Sequence, residues 1–157
     1  MQLIAVPKSK HNQGGNTSMV IQLPESEARA MLERGKVARL GCIVNGDPYI
    51  VPINYFMKDG RAYSHSLPGL KVDALRLNPR ACLQADEINS DFEWRSVIGF
   101  GEFEEITEPS MREQILGQLL LRFPRLTPVE AAIATDIDTP PIIVFAIKIE
   151  RVTAVGE

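Results

Sequence analysis

Two hydroxyls, an imidazole and an ammonium group fall close together in "YSHSLPGLK", where Ser64, His65 and Ser66 precede a Pro-Gly pair and Lys71 follows it. Arg61 to His65 reads as a strand, and Leu70, Ala74 and Leu77 recur along one helical face that Asn78-Pro79 ends. The polar group therefore sits at a strand-to-helix junction, where the first amides of the helix lack intrahelical partners. Those amides and the helix dipole favour an anion, and a first-turn lysine, unfavourable by itself, gains from one. Two serines, a lysine and open amides make a phosphate cradle. The same residues also fit a plainer account, in which Ser66 caps the helix while Lys71 and His65 are solvated, and alone they do not choose between the two.

Other chemistries find less in this chain. No Ser/His/Asp or Cys/His arrangement accompanies His65, so a hydrolase triad has no support, although an imidazole titrating near neutrality could move a proton or bind phosphate. Glu104-Glu105, and Asp136 with Asp138, read as solvated edge and loop charges, since successive strand residues point to opposite faces. Cys42 and Cys82 sit in apolar runs without metal-ligand spacing and read as buried thiols of a reducing compartment. No metal is expected. A net charge of -3 and the lack of a basic run argue against nucleic acid. The short apolar run before Pro7 is neither a signal peptide nor a membrane span, so the expected location is the cytoplasm.

The elements that must position the junction are mostly strands. A length of 157 residues, 45% of them apolar, suits one domain, expected over 19–157 behind a polar, flexible arm at 1–18. Ala28, Met31 and Leu32 mark a helix between Pro24 and Gly35. "VARLGCIV" and "YIVPINYFM" flank Asn45-Gly46-Asp47-Pro48 as a hairpin, and Lys58-Asp59-Gly60 marks a second turn. "RACLQADEI" leads through a polar loop at Asn89 to Asp91 into a long run, Trp94 to Ile106, where Gly99 and Gly101 signal bulges or barrel corners. A helix over Pro109 to Phe123, another after Pro128, and a last strand, "IIVFAIKIERVTAV", complete the chain. Strands in meander order with short helices between them predict a mainly β fold, an antiparallel barrel rather than a parallel doubly wound sheet. The absence of GxGxxG fits that choice.

In order and spacing, "PYIVPINY", "YSHSLPGLK" with "LRLNPRAC", and "RSVIGFGE" resemble the pyridoxamine-phosphate-oxidase-like FMN-binding split-barrel superfamily, nearest its nitroimidazole-reductase-like branch. The likeness runs from about Leu23 to Ile106, with the loop between His65-Ser66 and Gly69 one residue shorter than in many relatives. It implies an antiparallel split β-barrel that binds FMN between the subunits of a homodimer. By that resemblance Val51, Pro52, Ile53, Asn54 and Tyr55 run beside the isoalloxazine ring. Ser64, His65, Ser66 and Lys71 match the phosphate end, in agreement with the electrostatic argument, and Arg95 and Ser96 match a strand that approaches the flavin from the facing subunit. His65 is also the candidate proton donor. The implied activity is electron transfer from a reduced nicotinamide cofactor to a small oxidised compound such as a nitroaromatic. A flavin-binding protein without turnover and a haem-binding split barrel are the alternatives.

Overall fold

A computed structural model describes residues 19–123 and 141–157. The expected arm, the helix after Pro128, and Asp136 with Asp138 lie outside the described residues. In chain order the elements are β1 (Ile21–Gln22), α1 (Glu25–Arg34), β2 (Val37–Val44), β3 (Asp47–Asn54), β4 (Phe56–Lys58), β5 (Arg61–Ser66), α2 (Leu70–Leu77), β6 (Arg80–Ser90), β7 (Glu93–Glu105), α3 (Pro109–Arg122) and β8 (Ile143–Gly156). All strands pair antiparallel, in the order β3-β2-β6-β7-β8-β5-β4, with β1 added to the end of β8. β3 and β4 stand at opposite ends of that path, yet only Tyr55 separates them in the chain. The sheet must therefore curl until its ends meet, which makes it the antiparallel barrel expected from the strand pattern.

Local chemistry explains the turns and the curl. Asn45-Gly46 and Asp59-Gly60 hold φ of 50° and 85°, and 50° and 73°, the left-handed pairs that close two-residue hairpins with the twist of their strands. β3 begins at Asp47, so Pro48 belongs to the strand and not to the turn. Pro48 and Pro52 are tolerated because, among the described residues, β3 pairs only with β2 and its other edge carries no ladder. The ladder of β7 on β8 slips between Phe100 and Gly101, the bulge that the glycines signalled. A Cβ on Gly101 would lie 1.8 Å from the Lys148 carbonyl oxygen, so only glycine admits that approach.

Leu40, Leu83, Val97, Phe145 and Ile147 fill the barrel, and Ala28, Met31 and Leu32 of α1 pack into the same core. Each of these side chains larger than alanine contributes about 1.5–3 kcal/mol on burial. Val144 and Ala146, on the opposite face of β8, are buried with Ile115 and Leu119 of α3. Covered on both faces, this part of β8 is continuously apolar instead of alternating. Glu104 and Glu105 are half-buried rather than solvated, paired with Arg61 at 2.7 Å and Arg76 at 2.8 Å.

Candidate functional site

The strand-to-helix junction forms as its residues predict: β5 ends at Ser66, Leu67-Pro68-Gly69 turns the chain, and α2 begins at Leu70. Val72 and Asp73 donate their amides back to the Gly69 carbonyl, so the amides of Leu70 and Lys71 precede the first intrahelical bonds. Between this turn and the open edge of β3 lies a cavity of about 480 Å³. Tyr49, Pro52, Ile53 and Asn54 form its β3 wall, Val37 of β2 joins them, and His65 through Lys71 form the other side. Tyr49 and Asn54 are five residues apart on one strand, which at roughly 3.3 Å per residue makes the β3 wall about 17 Å long.

The two ends of that wall differ. Tyr49 pairs with Cys42, and Cys42 is close enough to Lys71 for thiol and ammonium to influence each other's ionisation, which puts the cation at the Tyr49 end. Burial pulls the Lys71 pKa below its ordinary value, with Cys42 acting weakly in the other direction. The Cys42 thiol is itself pushed up by burial. Asn54, Pro52 and Val37 make the other end, uncharged and flattened by the proline ring.

The hydroxyls behave differently from the cradle pictured in the sequence. Ser64 is 1% exposed and donates to the Asn54 carbonyl at 2.7 Å, tying β5 to the end of β3 behind the cavity wall. Ser66 lines the cavity, but its hydroxyl donates to the Leu67 carbonyl at 2.7 Å. Nor is it a helix cap, since Gly69 holds the N-cap position of α2 without a side-chain bond. Of the remaining sequence-derived residues, Pro52, Ile53, Asn54, His65 and Lys71 line the cavity. Val51 is half-buried against the barrel core, and Tyr55 is fully buried with its hydroxyl on the Leu32 carbonyl at 2.8 Å and its pKa pushed up to about 12 by burial. Neither lines the cavity. Arg95 pairs with Glu27 at 3.0 Å and Ser96 accepts from the Gln84 amide at 2.9 Å, both away from the cavity of their own chain. Val37, Tyr49 and Leu67 line it without having been singled out. For Val37 the signal was present, because a two-residue turn at Asn45-Gly46 sets the register that pairs it with Asn54.

A family model described as pyridoxamine 5'-phosphate oxidase matches residues 24–155, nearly the whole described barrel. The chain belongs to this family. Among solved structures it is similar to an FAD-binding protein from Mesorhizobium loti, 28% identical, with a TM-score of 0.73 over 88% of this chain and 99% of that one. A candidate 5-nitroimidazole antibiotic resistance protein from Bacteroides thetaiotaomicron (17% identity, TM-score 0.65, 94% of this chain and 97% of that one) and the flavocytochrome Anf3 from Azotobacter vinelandii (22%, 0.64, 85% and 67%) share the fold. An uncharacterised protein of Rhizobium meliloti (strain 1021), RA0666, is 38% identical over 84 residues. That match spans 54% of this chain and 56% of the relative. Pyridoxamine 5'-phosphate oxidase-like barrels thus provide the frame for the cavity, and among the described residues no helix is long and apolar enough to cross a membrane.

Proposed function

We propose that this member of the family binds FMN in the β3 cavity and is an oxidoreductase, carrying electrons from a reduced nicotinamide cofactor to a small oxidised compound such as a nitroaromatic. The observation that carries the reading is the polarity of the cavity: among the described residues it has one cation, Lys71, towards the Tyr49 end of an elongated wall and a flat, uncharged surface at the other end. An ammonium held half-buried stands ready for a phosphate, which would return the electrostatic energy that burial costs it. The open edge of β3 at Pro52 and Asn54 suits a planar heterocycle, and 480 Å³ lies within the usual range for cofactor sites. The residues present therefore fit the group. The likeness to an FAD-binding protein supports the same class, since FAD contains the FMN unit.

When bound, the flavin supplies the hydride and electron chemistry. The chain's own part is to bind and orient: Lys71 and the amides of Leu70 and Lys71 hold the phosphate, and Val37, Pro52 and Ile53 keep one ring face dry. His65 borders the same cavity, where its imidazole can deliver a proton to the reduced acceptor. Anaerobic mixing of the flavin-loaded protein with NADH and with NADPH tests the reading through bleaching of the oxidised band. A band that persists with both leaves a flavin carrier without nicotinamide-linked turnover, and a Soret band in the purified protein would mean haem. If His65→Ala changes neither bleaching nor acceptor reduction, its protons come from water.

We further propose a two-fold homodimer that completes the site. The outer face of β2, β3, β6 and β7 carries an apolar groove of about 320 Å³, lined by Ile43, Pro48, Ile50, Cys82 and Phe100 among others, with Ile50 68% exposed. Tyr49 borders both this groove and the cavity, so a second copy seated on the groove lies at the cavity's edge. In such an assembly Arg95 and Ser96 would serve the site of the facing subunit.

A further inference from the structure

We propose that Tyr49 is a specificity-determining residue of the phosphate end, donating the neutral hydrogen bond that Ser64 and Ser66 are not free to give. This rests on the flavin reading above. A hydroxyl has one proton to donate, and those of Ser64 and Ser66 already lie on the carbonyls of Asn54 and Leu67, so neither serves an anion without first breaking a bond. Among the described residues Lys71 then remains as the one cation lining the cavity. A phosphate monoester carries nearly two negative charges and three acceptor oxygens, more than one ammonium group and two helix-terminal amides saturate.

Tyr49 is placed to supply the missing donor. It lines the cavity from β3 together with Lys71, and it pairs in register with Cys42, whose thiol acts weakly on the Lys71 ammonium. Its ring is half-buried against the barrel core. Among the described residues nothing accepts a hydrogen bond from its hydroxyl, whereas the neighbouring Tyr55 hydroxyl is held by the Leu32 carbonyl. A phenol in this position adds a donor without placing a second cation in a half-buried site.

The test is a pair of titrations, FMN and riboflavin, followed by quenching of flavin fluorescence on the full-length protein and on Tyr49→Phe, which keeps the ring and removes the hydroxyl. Loss of a hydrogen bond to a charged acceptor predicts FMN affinity about tenfold to a hundredfold weaker, with riboflavin affinity unchanged. In a double-mutant cycle with Lys71→Met, the two losses in FMN affinity should be non-additive, since both side chains hold one group. Unchanged FMN affinity in Tyr49→Phe overturns the assignment while leaving the flavin reading intact. Equal weakening of FMN and riboflavin also overturns it, by making the residue a ring contact. If the unmutated protein binds neither flavin, the function proposed above falls and this assignment with it.

Discussion

Lys71→Met removes the one cation that, among the described residues, lines the cavity, and it keeps an unbranched stem of similar length, so it separates charge from packing. A charge-assisted bond from an ammonium is worth about 1.5–3 kcal/mol, which predicts FMN binding weaker by roughly tenfold to a hundredfold and no loss for riboflavin. Thermal unfolding reads the same quantity. FMN at a hundred times its Kd stabilises the unmutated protein by about 2.7 kcal/mol, or roughly 5–10 °C in a chain of this size. At that concentration the variant should gain about half of this shift or less. Without ligand the order reverses: burial disfavours the charged form of Lys71, so Lys71→Met should melt higher than its parent. The pH dependence has a defined sign. Because the folded pKa lies below the unfolded value of about 10.4, the unfolded chain binds more protons between those two values. Across that window the Lys71 contribution to ligand-free stability rises with pH while its contribution to FMN affinity falls as the charge is lost, and Lys71→Met should remove both contributions. An unchanged ratio of FMN to riboflavin affinity in the variant would refute the reasoning and move the phosphate away from α2.

Gly101→Ala should be close to unfolded, losing more than about 3 kcal/mol by chemical denaturation, because the added methyl meets backbone at Lys148 and not a side chain that can turn aside. Tyr55→Phe leaves the buried Leu32 carbonyl without its donor and should cost about 1–3 kcal/mol, with flavin affinity nearly unaltered. The folded Tyr55 pKa is raised to about 12, so its contribution is full below pH 10 and is lost as pH rises towards 12; ultraviolet titration of phenolate in the folded protein should show a late-ionising step that Tyr55→Phe removes. Ile50→Lys puts a charge in the outer groove and should halve the mass seen by light scattering, with weaker FMN binding, whereas a parent chain that is already monomeric would remove the shared site.

Much of the frame was legible because its signals are local. Asn45-Gly46 and Asp59-Gly60 are short turns with one favoured geometry, α1, α2 and α3 each carry an apolar stripe, and the family pattern is readable from about Leu23 to Ile106. The position of the junction, with Lys71 in the first turn of α2, likewise follows from a strand pattern meeting a helical one. What those signals cannot express is which partner a polar atom finds. Ser64 and Ser66 read as phosphate donors because hydroxyls at a helix start usually are available, but Ser64 bonds across to Asn54 and Ser66 to the next residue's carbonyl. Tyr55 sits in a run that passes the cavity, yet the curl that joins β4 to β3 turns its ring towards α1 and Leu32. Glu104 and Glu105 look like solvated charges until β5 and α2 bring Arg61 and Arg76 beside them. The same closure brings Tyr49 and Lys71, far apart in the chain, to the walls of one cavity. Elements, turns and family could be read from the residues alone, since these depend on neighbours a few residues apart. Only the tertiary structure decided which hydroxyls are left to meet a ligand, because hydrogen-bond partners are chosen among groups that closure of the barrel brings together.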